Sequence, residues 1–334
     1  MPEKPKLAMF WAASCGGCEI ALVNLHEKIL EIDRHFDFVF CPCLLDTKTK
    51  DIEALPDGGL ALTLFNGAIR TDENAEMARL LRRKSAVLIA FGSCAAAGGI
   101  PALSNLGTRA QHFTGIYLEG PSLDNPAGVV PARHTTVPEG DLELPVFHET
   151  VRRLDEVVEV DYTIPGCPPE PHQIWNVVEA VIAGGPLPPK HSLLGGGRST
   201  VCDECRRVKH EKKIARFRRT YEFMADPEVC LLEQGLPCMG IATRDGCGAL
   251  CPQANMPCTG CYGAPDGVSD QGAKMLAALG SVLDLGEYGG LTEAQLAARI
   301  ETVCDSIADC AGTFYKYGVP GSLTGRREHA ARHD

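Results

Sequence analysis

Hydrophobic positions in the first half of the chain alternate between short continuous runs and helical spacing. Five apolar runs are typical of buried strands: residues 6–11, 38–41, 60–65, 86–91 and 157–164. Three segments place apolar side chains at helical spacing: residues 19–32, where Ile20, Val23 and Leu30 recur, 75–83 and 174–182. Strands that alternate with helices predict an α/β fold, with a parallel sheet and crossover helices.

The pattern changes after residue 183. Residues 184–200 are rich in Gly and Pro and are predicted to form a linker, and residues 201–268 show little long-range periodicity. Two helices are predicted over 271–285 and 291–313, followed by a polar tail from 321 to 334. The chain is therefore expected to have two domains, residues 1–187 and residues 188–334.

Composition narrows the class of protein. A chain of 334 residues that is 45% hydrophobic can bury a sizeable core, and its net charge of −11 argues against nucleic acid as the main partner. No apolar run reaches the length of a membrane span, and the first residues lack the features of a secretory signal. The expected compartment is the cytoplasm.

Twelve of the sixteen cysteines fall into three quartets, the number of thiolates that three cubane iron–sulfur clusters need. The first quartet is Cys15, Cys18, Cys94 and Cys167. These cysteines come directly after predicted strands, so they should meet at the carboxyl edge of one sheet, where ligands bind in open α/β folds. Flanking glycines permit close backbone approach to a cluster. A set of unrelated buried cysteines would not be expected to coincide in this way.

The remaining eight cluster cysteines crowd into the loop-rich stretch: Cys202, Cys205, Cys230, Cys238, Cys247, Cys251, Cys258 and Cys261. Zinc is an alternative metal for these cysteines, because 202/205 and 258/261 are Cys-x-x-Cys pairs. However, the separation between the two pairs far exceeds that in a zinc ribbon. Disulfides suit short secreted domains rather than a long chain without an export signal. Cys41, Cys43, Cys304 and Cys310 have no partner set and are expected to be core or surface thiols.

With these motifs, the chain resembles the small subunit of NiFe hydrogenases over nearly its whole length, most closely the cytoplasmic methyl-viologen-reducing, deazaflavin-non-reducing type. The resemblance implies a flavodoxin-like doubly wound parallel sheet, followed by a loop-rich iron–sulfur domain with a few helices. It also implies that Cys15, Cys18, Cys94 and Cys167 bind a proximal 4Fe-4S cluster. We call these four residues the proximal set.

The resemblance divides the other eight cysteines between two clusters. It implies a medial set, in which Cys251 supplies a fourth ligand to a 4Fe-4S cluster: Cys247, Cys251, Cys258 and Cys261. It implies a distal set, in which Cys202 stands where periplasmic relatives have histidine: Cys202, Cys205, Cys230 and Cys238. Thiolate in place of imidazole should lower the potential of the distal cluster. No other cofactor and no catalytic residue is implied in this chain.

The implied activity is electron transfer in reversible dihydrogen oxidation, with the nickel–iron centre in a large partner subunit. The implied acceptor is a small 2Fe-2S subunit linked to heterodisulfide reductase. A small subunit of a sulfur- or NADP-reducing cytoplasmic hydrogenase remains an alternative, since the acceptor is chosen by other subunits. A zinc-stabilised adaptor is an alternative from another class.

Three further features of the sequence are open to two interpretations each. Residues 206–219 form a basic stretch that either docks an acidic electron acceptor or is a solvated face. Glu19 either relays protons toward a partner or simply favours the start of a helix. His172, next to the loop of Cys167, is either a site residue or a surface residue.

Overall fold

The computed structural model describes residues 3–210, 213–284 and 291–324. Its strands are β1 (Lys6–Trp11), β2 (Asp37–Phe40), β3 (Leu60–Asn66), β4 (Ile69–Thr71), β5 (Ser85–Phe91), β6 (His134–Val137), β7 (Gly140–Glu143), β8 (Phe147–Arg152), β9 (Tyr162–Ile164) and β10 (Ser192–Leu193). Its α-helices are α1 (Gly17–Val23), α2 (Ile29–His35), α3 (Thr49–Glu53), α4 (Asp72–Lys84), α5 (Ser93–Ala97), α6 (Arg109–Tyr117), α7 (Pro171–Ile182), α8 (Val201–Glu204), α9 (Leu250–Gln253), α10 (Gln271–Val282), α11 (Glu293–Asp305) and α12 (Cys310–Phe314). Short 3₁₀ helices cover His26–Lys28, Ile100–Leu106, Leu154–Glu156, Leu232–Gln234, Met239–Ala242 and Val319–Gly321.

Six strands form one parallel sheet in the order β10-β9-β5-β3-β1-β2. The chain leaves β1 to form β2 at one edge and then crosses to β3 on the other side of β1. This reversal is the topological switch point of a doubly wound, flavodoxin-like sheet, so the predicted fold class is confirmed. The carboxyl ends of β1, β5 and β9, which precede the proximal set, lie on the same edge of the sheet.

Alternate side chains along each strand enter two different apolar layers. Leu7 and Met9 pack with α1 and α7 on one face, whereas Ala8 packs with α4 on the other. Strands buried on both faces need continuous apolar sequence, which explains why these runs predict strands. Buried Asp161 joins β5 to the chain entering β9, because it accepts from the Leu88 N–H at 2.9 Å.

The predicted helix 19–32 is wrong as a single element. The chain forms α1, a 3₁₀ turn and α2 instead, with His26 at a φ of 54°, which breaks regular helical geometry. Ile20, Val23 and Leu30 are exposed, and the buried positions are Ala21, Leu22, Leu25 and Ile32. The apolar spacing is real, but part of it faces outward beside the end of β1.

Several other boundaries differ from the sequence-based expectation. The run 157–164 yields only the three residues of β9, and the segment 291–313 is split into α11 and α12. Ser192 and Leu193 extend the sheet by pairing with β9, so the predicted linker contains a strand. This strand lies beyond the expected boundary at residue 187, and the division into two domains stays a prediction. Residues 285 and 325–334 of the predicted helix and tail lie outside the described residues.

The segment between β5 and β9 contains structure that the sequence pattern did not predict. A two-stranded antiparallel pair joins β4 to β8, and a hairpin joins β6 to β7. Beyond residue 200, a smaller apolar core gathers Val201, Phe217, Met275 and Phe314. No helix in the described ranges combines the length and the apolar character that crossing a bilayer requires.

Candidate iron–sulfur sites

The proximal set is brought together at the carboxyl edge of the sheet. Cys15 lies in the turn after β1, Cys18 in the first turn of α1, Cys94 in α5 and Cys167 in the loop after β9. Backbone bonds align these turns, because the Gly92 N–H donates to Ile164 at 2.8 Å and the Ser93 N–H to Gly166 at 2.7 Å. Cys18 and Cys94 are buried, Cys167 is half-buried and Cys15 is exposed.

Two glycines make room for the proximal thiols. Gly92 has a φ of 85°, and a Cβ atom there would lie 2.4 Å from the Sγ of Cys18. Gly99 has a φ of 59°, and a Cβ atom there would lie 2.6 Å from the Sγ of Cys94. Positive φ and the lack of a side chain are both needed at these positions, so the edge forms a cradle that only glycine permits.

The environment of the proximal set opposes ionisation of free thiols. Burial raises the pKa of Cys94 to about 12, and the nearby thiolates of Cys167 and Cys15 contribute to the increase. Burial likewise raises the pKa of Cys18 and of Cys167. Thiolates in this setting need a compensating positive charge, which the irons of a cluster would supply. The donor set and its surroundings therefore fit an iron–sulfur cluster.

The distal set lines one cavity. All four thiols border it, together with Lys209, Arg207, Gly240 and a few apolar side chains: Cys202, Cys205, Cys230 and Cys238. Burial raises the pKa of Cys202 to about 12, while Lys209 opposes this increase. Arg207 ties the surrounding loops together, because its guanidinium donates to Asp226 O at 2.8 Å and to Pro252 O at 2.7 Å.

The medial set lies in the chain between residues 246 and 262. Cys251 is in α9, and the other three cysteines lie in the loops before and after that helix. Burial raises the pKa of Cys261 to about 12, and the thiolates of Cys247, Cys167 and Cys251 add to it. The pKa of Cys258 is raised by burial and then by Cys238 and Cys261. This set therefore has neighbours in both other sets.

Two direct contacts connect the three sets in sequence. The Ser93 hydroxyl, next to Cys94, donates to the Cys261 carbonyl, which joins the proximal set to the medial set. The Cys258 backbone N–H donates to the Sγ of Cys238 at 3.3 Å, which joins the medial set to the distal set. The structure thus arranges the cysteines in the order proximal, medial, distal.

A buried polar network that the sequence did not reveal fixes the medial loop against the sheet. The Tyr262 hydroxyl donates to Gln173 Oε1 and accepts from the Glu170 N–H at 3.1 Å. The Gln173 amide donates in turn to the carbonyls of Gly195 and Gly246. Gln173 and Tyr262 are each 3% exposed. They are 89 residues apart, and no local signal predicts their pairing.

The other residues considered from sequence have simpler surroundings. Glu19 is buried and accepts from Asn66 Nδ2 at 2.8 Å, so it is not an exposed acid at a helix start. Burial raises the pKa of Glu19, and the Asn66 hydrogen bond opposes this increase. His172 is exposed.

The cysteines outside the three sets are split between core and surface, as expected. Cys41 is buried, whereas Cys43, Cys304 and Cys310 are exposed. Cys41 Sγ lies 3.3 Å from Cys43 Sγ.

Within the described residues, no three His, Cys, Asp or Glu side chains form a group that could hold one metal ion. A cubane distributes its four thiolates over four irons, whereas a tetrahedral zinc ion gathers all its ligands around one point.

Comparison with known proteins agrees with this geometry. The family model described as NADH ubiquinone oxidoreductase, 20 Kd subunit, matches residues 15–181. The F420-non-reducing hydrogenase iron-sulfur subunit of Archaeoglobus profundus is 38% identical, over 96% of this chain and 98% of that protein. The corresponding F420-non-reducing hydrogenase subunit of Methanothermobacter marburgensis is 35% identical, over 97% of both chains.

A solved structure supports the fold. The [NiFeSe]-hydrogenase of Dm. baculatum matches with a TM-score of 0.50 at 18% identity, over 79% of this chain and 96% of that chain. The matched residues 15–181 run from the first proximal cysteine past the fourth, and the similarity to the two F420-non-reducing hydrogenase subunits continues through the medial and distal sets. The chain therefore belongs to the family of F420-non-reducing hydrogenase iron–sulfur subunits.

Proposed function

We propose that this chain carries electrons between a dihydrogen-activating NiFe large subunit and an acceptor subunit, through three 4Fe-4S clusters held by the proximal, medial and distal sets. The observation that carries the proposal is the pair of contacts from Ser93, beside Cys94, to Cys261 and from Cys258 to Cys238. Through these contacts the proximal, medial and distal sets adjoin in turn, so three clusters bound there would be separated by short gaps. Each cluster, when bound, accepts and releases single electrons.

The residues of the chain would contribute position and environment. The turns after β1, β5 and β9 would hold the proximal cluster at the sheet edge, with Gly92 and Gly99 admitting it closely. The Gln173 and Tyr262 network would hold the medial loop at a fixed distance from Cys167. Backbone N–H groups that point at thiols, as at Cys258, would offset the negative charge of thiolate ligands.

The surface beside the proximal set supports the large subunit as partner. Exposed apolar side chains border the sheet edge at the end of β1, in α1 and in the 3₁₀ helix after Cys94: Trp11, Ile20, Val23, Ile100 and Leu106. An apolar group of this kind next to an exposed ligand, Cys15, is typical of a protein interface. An obligate interface of this type would bury more than about 2,000 Å².

The finer parts of the proposal follow the resemblance. Cys251 would make the medial cluster a four-iron cluster, and Cys202 would make the distal cluster all-thiolate. The acceptor would be a small 2Fe-2S subunit that passes electrons toward heterodisulfide reductase. We propose the cytoplasm as the compartment.

The test is anaerobic purification of the native complex. The chain should carry about twelve irons and twelve acid-labile sulfides, four for each cubane. The complex should reduce methyl viologen with dihydrogen, whereas the chain alone should be inactive. Cys15→Ser should abolish this reduction, and Cys304→Ser should leave it unchanged. Stoichiometric zinc, or full activity in Cys15→Ser, would disprove the proposal.

A further inference from the structure

A strongly basic segment lies beside the distal set of an otherwise acidic chain. Residues 206–219 contain eight Lys and Arg residues and one acid, Glu211, although the whole chain has a net charge of −11. The segment follows Cys205 directly, and Lys209 lines the distal cavity. The Arg218 N–H donates to Gly235 O at 2.8 Å, in the turn between Cys230 and Cys238. The charge is therefore concentrated around the distal thiols.

Some of these cations form hydrogen bonds or ion pairs within the chain. Arg207 donates to carbonyls of the surrounding loops, Lys213 donates to Ser281 O at 2.5 Å, and Arg216 pairs with Glu222 at 3.5 Å. Four cations differ, because each is exposed and none forms an ion pair with a described carboxylate: Arg206, Lys209, Arg218 and Arg219. We call these four residues the cationic rim.

Exposed side chains with large apolar parts follow the cationic rim in the sequence. Tyr221 is 84% exposed and Met224 is 88% exposed, and the Arg218 guanidinium lies 5.1 Å from the ring centre of neighbouring Phe223. Tyrosine, methionine and arginine are enriched where proteins bind each other, and methionine adapts easily to a partner's shape. A merely solvated surface would not need to expose these apolar groups.

We propose that the cationic rim, with Tyr221 and Met224, is the docking surface for an acidic redox protein that exchanges electrons with the distal cluster. This inference rests on the proposed function and adds the charge of the partner and the residues that select it. A cluster on four thiolates is negative, so an acidic acceptor approaching it would be repelled. The rim reverses the local field and steers the acceptor to the distal edge.

The choice of a redox protein over other acidic partners follows from position. The rim lies beside the distal set, where, under the proposed function, electrons would leave the chain. A nucleic acid could also bind to these cations. The exposed side chains of Tyr221 and Met224, and the chain's net charge of −11, favour a protein as the partner instead.

The experiment uses the complex with its large subunit and two acceptors, methyl viologen and an acidic [2Fe-2S] ferredoxin. The variant Arg218→Glu/Arg219→Glu reverses two rim charges. The control variant Arg79→Glu/Arg83→Glu makes the same charge change on α4, at exposed positions remote from the distal set. Rates are measured at several salt concentrations.

We expect the rim variant to raise the KM for ferredoxin by about ten-fold at low salt and to flatten its salt dependence. Viologen reduction by the rim variant, and both reactions of the control variant, should stay within about two-fold of the parent. Arg219→Glu alone, which keeps the Arg218 contact with Phe223, should give a smaller change in the same direction.

Three outcomes would overturn the docking surface. The first is that the rim variant has the same ferredoxin kinetics as the parent. The second is that the control variant changes ferredoxin kinetics as much as the rim variant does. The third is that the rim variant loses viologen reduction as much as ferredoxin reduction, which would mean that the substitutions damage the distal cluster. Binding of duplex DNA at physiological salt, lost in the rim variant, would assign the rim to nucleic acid instead. If the parent complex reduces neither acceptor, the proposed function itself fails.

Discussion

At the scale of single residues, cysteines and glycines have different roles in the candidate sites. The cysteines would supply the ligands, and glycines let the backbone pass close to the thiols. The glycines are of two kinds: Gly92 and Gly99 have positive φ and face a thiol, whereas Gly58 has a φ of 73° and nothing within 4 Å of its missing Cβ. This difference separates the effect of backbone strain from the effect of crowding a ligand.

Gly92→Ala should prevent assembly of the proximal cluster, because the new methyl group would lie 2.4 Å from the Sγ of Cys18. Iron content should fall by about four per chain, and dihydrogen-dependent viologen reduction should be lost. Iron analysis and viologen assays check this result. Gly58→Ala should cost only about 1 kcal/mol of stability and keep all the iron. Equal iron content in the two variants would contradict this role of Gly92.

Cys251→Ala should convert the medial cluster to a three-iron cluster, because three thiolates would remain in the medial set. The oxidised protein should then show a new paramagnetic resonance signal and lose about one iron. Cys310→Ala, at an exposed cysteine outside the sets, is the control. An unchanged spectrum in Cys251→Ala would mean that Cys251 is not a ligand.

At the scale of elements, helix α7 connects the sheet to the medial loop. It begins at Pro171, just after the proximal ligand Cys167, and its buried Gln173 bonds to the carbonyls of Gly195 and Gly246. The Ser93 hydroxyl, at the start of α5, donates to the Cys261 carbonyl. Two helices that adjoin the proximal set thus hold the loop that carries the medial set.

Tyr262→Phe should weaken this connection, because Gln173 Oε1 and the Glu170 N–H would lose a buried partner. Leaving such groups unpaired costs about 1–3 kcal/mol, which urea unfolding can measure. The magnetic interaction between the proximal and medial clusters should also weaken in paramagnetic resonance spectra. Tyr221→Phe, at an 84% exposed position, should change neither quantity. A stability loss with an unchanged magnetic interaction would show that the network stabilises the fold without setting the distance.

At the scale of the whole molecule, the two ends of the cysteine series open onto different surfaces. The proximal edge is bordered by apolar side chains, including Ile20 and Ile100, and the distal set is bordered by cations. Apolar surfaces suit a permanent subunit, and charged surfaces suit steered encounter with an exchanging partner. The apolar proximal edge is thus suited to the proposed large subunit, and the cationic distal surface is suited to the proposed electron acceptor.

Ile20→Lys should weaken association with the large subunit, because a charge would replace a 60% exposed apolar side chain beside Cys18. The chain should keep its iron and fold, but the complex should dissociate on size-exclusion chromatography at dilute concentration. Leu187→Lys, at a 47% exposed position between α7 and β10, should leave the complex intact. Stable complexes in both variants would remove α1 from the interface.

The sequence by itself determined the fold class and the meeting of four cysteines at one edge of the sheet: Cys15, Cys18, Cys94 and Cys167. Runs buried on both faces form strands almost regardless of their neighbours, and cysteines placed just after such strands must meet at one edge. It could not determine the outward position of Ile20 or the strand β10, because periodicity does not say which face meets the core and a two-residue strand leaves no pattern.

Only the tertiary structure decided how the three sets follow one another. The contact of Ser93 with Cys261 spans 168 positions, and Gln173 meets Tyr262 across 89. Spacing along a loop-rich segment carries no information about such pairs, because packing of that segment against α5 and α7 brings them together. The same packing leaves Lys209 exposed at the distal thiols and Arg218 exposed beside the turn that contains Gly235, positions that charge counting alone could not assign.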